Sequence, residues 1–269
     1  MNTYILNFKN FKNKIIEGID IDNKNKKVSF NNDHQNNINT CYNYNPTISN
    51  LEIDGKYIDV ISIFKRIENI ENSDGNPLIY TLKGLKDWEF NSKEDYNNLL
   101  DNFNKIVNKI GKHYDTIISV PSNNKLNNII LKKVKNLLNI KNSIPNLLSK
   151  YSASYIYNNF LDIKSMKNDH KNDINKILLF ISKIQKMIDD GDKFSFKDII
   201  PKYRKYIKKS IHISNDNDII KYKDLINDKN IIIIDDTIST GSSLKHAYKE
   251  VLDTFEPNNV TIITLFSPL

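Results

Sequence analysis

The chain has 269 residues, of which 39% are hydrophobic and 26% are charged. That apolar content suffices for a buried core and excludes a wholly disordered chain. A single cysteine, Cys41, excludes a disulfide framework and a zinc site with several cysteines, and is typical of a reducing compartment. No apolar stretch approaches the roughly 20 residues of a membrane span, so we expect a soluble, cytoplasmic protein without a membrane partner.

The formal net charge of +7 comes almost entirely from lysine. Lys and Arg total 39, but arginine occurs only at Arg66 and Arg204. Abundant Lys, Asn and Ile are typical of an A/T-rich coding sequence. A nucleic-acid surface usually relies on arginine for contacts to phosphate and guanine. The charge therefore favours anionic ligands in general and does not indicate nucleic-acid binding.

The first 75 residues are predicted to form a small, β-rich addition. Residues 15–30 are compatible with a hairpin around Asn23-Lys24-Asn25, and the Asn-rich stretch Asn31–Asn50 is predicted to be a long loop. Asp54-Gly55 follows, a dipeptide favoured in tight hairpin turns. No repeat is visible in this part or elsewhere in the chain.

From Pro77 onward, strand patterns alternate with helix patterns. Leu78–Lys86 (LIYTLKGLK) is predicted to be a strand. Apolar residues at helical spacing follow between Leu99 and Ile110, with Ser92 or Asn91 as N-cap. Asp115–Val120 has the apolar run of a buried strand, and residues 126–138 have the periodicity of the next helix.

The last third of the chain shows a clear strand, helix and strand. Four isoleucines at Ile231–Ile234 form the first strand, the helix covers Ser242–Phe255, and Val260–Phe266 closes the unit. This order predicts a parallel α/β sheet in a domain over residues 76–269. Residues of about 150–217, with an amphipathic helix over Ile174–Ile188, are predicted to be a helical insertion.

The turn after Ile231–Ile234 has the composition of a ligand site. Asp235 and Asp236 end the strand at the edge of the sheet where open α/β folds bind ligands, and we expect both acids to face solvent. A run of small residues then opens the helix, so that its backbone N–H groups and dipole can hold an anion. Carboxylates for hydroxyl groups beside a cradle for phosphate suit a sugar phosphate.

This segment, IIIIDDTISTGSSL, closely resembles the signature of type I phosphoribosyltransferases, which bind 5-phosphoribosyl 1-pyrophosphate (PRPP). The resemblance implies that Asp235 and Asp236 are the catalytic acids and hold the ribose hydroxyls. It also implies a loop for the 5-phosphate, formed by Thr237, Ser239, Thr240, Gly241, Ser242 and Ser243. A Walker-type P-loop is excluded, because no Gly-Lys-Ser/Thr stands at the required spacing.

A second, weaker match lies at Tyr114–Asn128. There a predicted strand ends in Val-Pro and leads through a short turn into a helix, as in the pyrophosphate loop of the same family. The resemblance assigns that loop to Pro121, Ser122, Asn123, Asn124 and Lys125. The layout is similar to the ComF-like branch, without the zinc ribbon that a single cysteine cannot build. An ordinary turn between strand and helix remains an alternative for these five residues.

The resemblance implies a Rossmann-like core and a Mg²⁺-dependent pentosyltransferase. It would transfer ribose 5-phosphate from PRPP to a small nitrogen-containing acceptor, such as a nucleobase, and release pyrophosphate. No direct metal ligand is predicted, because Mg²⁺ is expected on oxygens of the substrate. Ser239 stands where purine-salvage members have an acid, so that acid–base arrangement is absent.

Several cations are candidates for the pyrophosphate by position alone. Lys125, Lys83 and Lys86 lie near the predicted pyrophosphate loop or strand. Lys202–Asp216 is a candidate for a flexible loop of the kind that orotate-type members use, and it carries Arg204, Lys208 and Lys209.

Two other functions share the signature. One is a non-catalytic protein that senses PRPP in a regulatory role. The other is a PRPP synthetase, which is disfavoured because no second half-domain repeats the first. The five histidines show no metal spacing. Dimers are common in the family, and the sequence leaves a homodimer open.

Overall fold

A computed structural model describes residues 18–31, 38–39, 45–66, 76–197, 199–238 and 240–267. Over these ranges, none of the helices combines the length and the apolar character needed to cross a membrane. The structure is mixed α/β with a mostly parallel central sheet.

The strands of the described ranges are β1 (Gly18–Asp22), β2 (Lys27–Asn31), β3 (Ile38–Asn39), β4 (Thr47–Ile53), β5 (Lys56–Arg66), β6 (Glu89–Phe90), β7 (Thr116–Ser119), β8 (Asn142–Ile144), β9 (Leu148–Lys150), β10 (Ile211–Ile213), β11 (Asn230–Thr237) and β12 (Asn259–Ser267). The α-helices of the same ranges are α1 (Asn76–Lys83), α2 (Lys93–Val107), α3 (Leu126–Leu137), α4 (Ala153–Asn159), α5 (Ile163–Asp169), α6 (Ile174–Asp189), α7 (Asp216–Ile226) and α8 (Ser242–Thr254). Short 3₁₀ helices cover Lys171–Asp173 and Pro201–Tyr206.

The chain divides into two compact units. The first comprises Met1–Ser49, Ile61–Gly111 and Leu265–Leu269, and the second comprises Asn50–Val60 and Lys112–Thr264. Strands β5 and β12 contribute residues to both units. The domain boundary near residue 75 stays a prediction.

In the first unit, β1 and β2 form an antiparallel hairpin in which Ile19 pairs with Phe30. The hairpin was predicted for residues 15–30, and residues 15–17 of that prediction lie outside the described residues. Strand β6 extends the hairpin, parallel to β2. Helix α2 begins at the predicted N-cap, because the Ser92 hydroxyl accepts a hydrogen bond from the Asp95 amide. The Asp95 carboxylate in turn accepts from the Phe30 amide at 2.7 Å.

The prediction of a strand over Leu78–Lys86 is wrong, because its first part is helix α1. Pro77 suits the first turn of a helix, since its fixed φ is already helical. Leu78 and Ile79 are both buried, which adjacent residues of a half-buried strand cannot be. Gly84, at φ +64°, follows the helix.

The predicted loop Asn31–Asn50 is wrong at three places, since β2 ends at Asn31, β3 covers two of its residues and β4 begins at Thr47. The rest of that stretch lies outside the described residues. Ser49, Leu51 and Ile53 form the buried face of β4, and β4 pairs with β5. Asp54 and Gly55 have φ of 51° and 76° and form the predicted tight turn between β4 and β5.

In the second unit, the sheet contains strands in the order β5-β12-β11-β7-β8. Strand β7 runs parallel to both β11 and β8, with Ile117 opposite Ile232 and Ser143. The four residues of β7 are buried, as are Ile231–Ile234 of β11. Six predicted elements of this unit are therefore confirmed within a residue or two of their bounds, except that β11 extends through Thr237. They are β7, α3, α6, β11, α8 and β12.

The segment predicted as a helical insertion contains α4, α5 and α6 and forms its own hydrophobic core. Ile156, Met166, Phe180, Ile184 and Tyr203 are buried in that core. The antiparallel pair β9–β10 brings the two ends of the segment together. The expectation of a loop over Lys202–Asp216 is wrong, because a 3₁₀ helix, β10 and the start of α7 occupy it.

Candidate functional site

The strand order of the second unit reverses between β7 and β11. From β7 the chain passes through α3 to β8 on one side, and from β11 it passes through α8 to β12 on the other. Open α/β sheets bind ligands outside the carboxyl ends of the strands at such a reversal. Both predicted loops lie at these two strand ends.

A cleft opens at the end of β11, where the strand turns into α8. Strand β11 contributes Asp235 and Thr237 to its wall, and Phe196 and Arg204 come from the insertion. The turn and the first helical residues complete the lining: Thr240, Gly241, Ser242, Ser243 and Leu244. Ser239 lies outside the described residues, so its predicted part in the phosphate loop stays a prediction.

The two acids occupy different environments. Successive residues of a strand point to opposite faces, and accordingly Asp235 and Thr237 line the cleft whereas Asp236 does not. Asp236 is only 7% exposed. The expectation that both acids face solvent is therefore wrong for Asp236, because β11 continues past it to Thr237.

Gly241 sets the geometry of the turn. It is the N-cap of α8 at φ 71° and ψ 5°, a left-handed conformation that favours glycine. A Cβ atom placed on Gly241 would overlap Leu51 Cδ1. Because glycine has no side chain to cap the helix, the first backbone N–H groups of α8 keep their hydrogen-bonding capacity for a ligand.

Hydroxyl groups surround this helix start. Thr240 Oγ1 and Ser242 Oγ are 2.9 Å apart and share a hydrogen bond. Thr237 Oγ1 is buried and has no hydrogen-bond partner within the described ranges. A buried hydroxyl without a partner costs free energy unless a ligand or water bonds to it. The Thr237 side chain thus lines the cleft while its hydroxyl oxygen is shielded from solvent.

Two asparagines at the start of α3 hold the acid pair. The buried Asn127 donates from Nδ2 to Asp235 Oδ1 and to the Val120 carbonyl, each at 3.0 Å. Asn124 Nδ2 lies 3.5 Å from Asp236 Oδ2. The Asp236 amide also donates to Asp235 Oδ1 at 2.9 Å. The end of β7 and the end of β11 are thus joined by side-chain hydrogen bonds.

The predicted pyrophosphate loop is a short turn before α3. Asn124 Nδ2 donates to Ser122 Oγ at 2.9 Å, and Asn124 Oδ1 accepts from the Leu126 amide at 2.8 Å. Pro121 is partly buried, while Asn123 and Lys125 are exposed. These bonds order the turn beside the acids, and its role toward pyrophosphate stays a prediction.

The candidate cations are distributed over several places. Lys83 and Lys86 belong to the first compact unit. Lys208 pairs with Asp162 at 3.6 Å, and Lys209 pairs with the buried Glu250 at 2.5 Å. Arg204 alone of the three candidates in Lys202–Asp216 lines the cleft.

Sequence reasoning missed Asn127 and Phe196 altogether. Asn127 stands 108 residues before the acid to which it donates, and no local motif marks it. Its one signal is a polar residue on the apolar face of a predicted helix, between Leu126 and Ile130, which are both buried.

The described residues include no cluster of three or more His, Cys, Asp or Glu side chains that could hold a metal ion. The carboxylate of Asp235 in the cleft lining is nonetheless a hard oxygen ligand of the kind that Mg²⁺ accepts.

No protein-family model matches this sequence, and no curated protein matches it either. The functional interpretation therefore depends on the residues of the site and on their geometry.

Proposed function

We propose that the chain is a Mg²⁺-dependent phosphoribosyltransferase with a type I phosphoribosyltransferase fold in its second unit. One observation carries the proposal. A single strand-to-helix turn places the Asp235 carboxylate, the hydroxyls of Thr240 and Ser242 and the glycine-capped start of α8 in one cleft. That combination suits a ligand with both hydroxyl groups and a phosphate.

In this proposal the 5-phosphate binds at the start of α8, where it accepts hydrogen bonds from the backbone and from the hydroxyls of Ser242 and Ser243. Thr240 acts through Ser242, to which its hydroxyl is hydrogen-bonded. The Asp235 carboxylate accepts from a ribose hydroxyl, whereas the buried Asp236 lies outside the cleft lining and holds the turn before α3 through Asn124. The pyrophosphate extends toward the turn before α3, since the hydrogen bonds of Asn124 and Asn127 connect that turn to the acids.

The reaction breaks the anomeric C–O bond of PRPP, and the bonding electron pair leaves with pyrophosphate. The lone pair of the acceptor nitrogen forms the new C–N bond, and the nitrogen releases its proton. Residues at both strand ends hold the two halves of PRPP in fixed positions, and fixed dipoles stabilise the separating charge. When bound, Mg²⁺ supplies positive charge that stabilises the departing pyrophosphate. The acceptor stays a nitrogen nucleophile of undefined structure.

The experiment compares the wild type with the double variant Asp235→Asn/Asp236→Asn. PRPP with Mg²⁺ is titrated calorimetrically, and pyrophosphate release is then measured across a panel of nucleobases. The wild type is expected to bind PRPP and to release pyrophosphate with one class of base. The double variant is expected to lose both while keeping the far-UV circular dichroism of the wild type.

The outcomes separate the candidate functions. Binding without release for any base supports the PRPP sensor instead of the transferase. A double variant that binds PRPP as well as the wild type contradicts the assignment of the acids. No binding by the wild type overturns the whole proposal.

A further inference from the structure

Arg204 is the unexpected member of the cleft. It lies on the 3₁₀ helix Pro201–Tyr206 of the insertion, far from β11 in sequence. Its Nη1 donates to Thr240 Oγ1 at 2.9 Å, and its Nε donates to the Ile199 carbonyl at 3.0 Å. The guanidinium also lies 6.0 Å from the centre of the Phe196 ring. These contacts fix the guanidinium beside the turn that begins α8.

Arg204 balances the negative charge of the cleft lining. Among the described residues that line the cleft, Asp235 is the only acid and Arg204 the only cation. Without Arg204 the lining would carry a net negative charge, which would repel a phosphate dianion. Burial lowers the pKa of the Arg204 guanidinium, because the charged form has lost part of its hydration. A bound anion would offset that loss.

The composition supports a specific role for an arginine here. Only two of the 39 cationic residues are arginines, although lysine is available throughout the chain. A guanidinium offers a planar pair of donors that matches two phosphate oxygens, whereas an ammonium acts as a point charge. An arginine that donates to Thr240 at the helix start is therefore suited to phosphate.

The hydrogen bonds of Arg204 also determine which hydroxyl groups of the turn donate their protons. Arginine can only donate, so Thr240 Oγ1 must accept from it. This favours donation of the Thr240 proton to Ser242 Oγ, 2.9 Å away, and leaves the Ser242 proton for a ligand. Arg204 thus orients two hydroxyls as donors as well as adding charge.

We infer that Arg204, supplied by the insertion, is a ligand of the phosphate group that binds at the start of α8. The inference rests on the proposed function for the identity of the sugar phosphate, but it concerns any phosphate monoester at this site. It gives the insertion a part in ligand binding that the turn after β11 alone does not provide.

The first test uses ribose 5-phosphate as the probe. Calorimetric titration compares the wild type, Arg204→Gln, Arg204→Lys and the control Lys205→Gln. Lys205 stands on the same 3₁₀ helix and pairs with Asp169 at 3.3 Å, so its loss changes the net charge equally without touching the cleft. We expect at least tenfold weaker binding for Arg204→Gln, an intermediate loss for Arg204→Lys, and less than a twofold change for Lys205→Gln.

The second test avoids any risk of misfolding in Arg204 variants. The chain has no arginine besides Arg66 and Arg204, so in Arg66→Lys an arginine-selective dicarbonyl reagent can modify Arg204 only. Mass spectrometry follows the modification with and without ribose 5-phosphate, and with ribose as the control. We expect ribose 5-phosphate to slow the modification severalfold and ribose to leave its rate unchanged.

The results distinguish this inference from the proposed function. Equal binding of ribose 5-phosphate by the wild type and Arg204→Gln, or no protection of Arg204, overturns the inference and leaves the transferase untouched. Protection of Arg204 without turnover of PRPP supports the inference and contradicts the transferase. Failure of the wild type to bind ribose 5-phosphate overturns the inference, whereas the proposed function is overturned only if the wild type also fails to bind PRPP.

Discussion

At the scale of single residues, Gly241 shows how tightly the turn is specified. Its left-handed φ would strain any other residue, and a Cβ atom would meet the buried Leu51 side chain. Replacing Gly241 by alanine has two energetic costs, the left-handed backbone strain and the displacement of Leu51. A second glycine, Gly191, allows the two costs to be measured separately. Gly191 has φ +70° but has no atom within 4 Å of an added Cβ among the described residues.

We predict that Gly241→Ala lowers the free energy of unfolding by about 2 kcal/mol and Gly191→Ala by about 1 kcal/mol. Both variants pay the left-handed strain, and only the first must also displace Leu51. Urea unfolding measures both values. Equal losses would mean that Leu51 moves aside without cost, and the additional variant Leu51→Ala would then bring no relief to Gly241→Ala.

The residues of the site also show what the sequence could predict. Asp235, Asp236 and the Thr-Gly turn lie within one short segment, so their pattern was visible without a fold. Arg204 lies 36 residues from Thr240, which it contacts. Its charge made it a candidate, but its place at the helix start depends on how the insertion packs. Hydrogen bonds across such separations follow from tertiary structure and leave no local signal.

At the scale of elements, the same distinction holds. Strand β11 was predictable because four consecutive β-branched residues suit a strand buried on both faces. Helix α1 was mistaken for a strand because a short apolar run fits both periods. Strands β8, β9 and β10 have three residues each and were missed, since they are held by pairing with neighbours and have too few residues to show a period.

Polar side chains of helix α8 bond to β10 and to Ser210, the residue before it. His246 Nδ1 and Ser210 Oγ are 2.7 Å apart, and the Ile213 amide donates to the buried Glu250 carboxylate at 3.0 Å. Burial, followed by the charges of Lys249, Lys245 and Lys209, lowers the pKa of His246 to about 4. The folded state therefore keeps the His246 imidazole neutral. Protonation of His246 at low pH should weaken the contact between α8 and β10.

We predict that His246 makes the protein less stable between pH 6.5 and pH 4. Its pKa is about 6.5 when unfolded and about 4 when folded, so the unfolded chain takes up the proton first as the pH falls. This group alone should remove about 2 kcal/mol of unfolding free energy between pH 7 and pH 5. The loss should be complete below pH 4.

The variant His246→Asn isolates this effect, because asparagine can still bond to Ser210 but does not titrate. From pH 7 to pH 5, the wild type should lose about 2 kcal/mol of unfolding free energy relative to this variant. His113→Asn is the control, since the His113 side chain is 76% exposed. A pH-independent difference for His246→Asn would show that the imidazole is not kept neutral.

At the scale of the whole molecule, the net charge of +7 acts together with the site. The ligand of the proposed function, PRPP, carries both a phosphate and a pyrophosphate, so scattered lysines would attract it from a distance. This attraction is screened by salt, with a Debye length of about 30 Å at 0.01 M and about 8 Å at 0.15 M. The long-range contribution of the lysines and the local contribution of Arg204 should therefore respond differently to ionic strength.

We predict that the triple variant Lys141→Gln/Lys164→Gln/Lys167→Gln binds PRPP about fivefold more weakly than the wild type at 0.01 M salt, and equally well at 0.15 M. These three lysines are exposed and lie outside the cleft lining, and their replacement reduces the net charge from +7 to +4.

Arg204→Gln should keep most of its loss of affinity for PRPP at 0.15 M salt, because a partly buried charge in contact with the ligand is screened far less. Titration of each variant at both salt concentrations gives the comparison. A triple variant as weak at 0.15 M as at 0.01 M would show that the lysines act through the fold, and an Arg204→Gln defect that vanished with salt would place Arg204 among the distant charges.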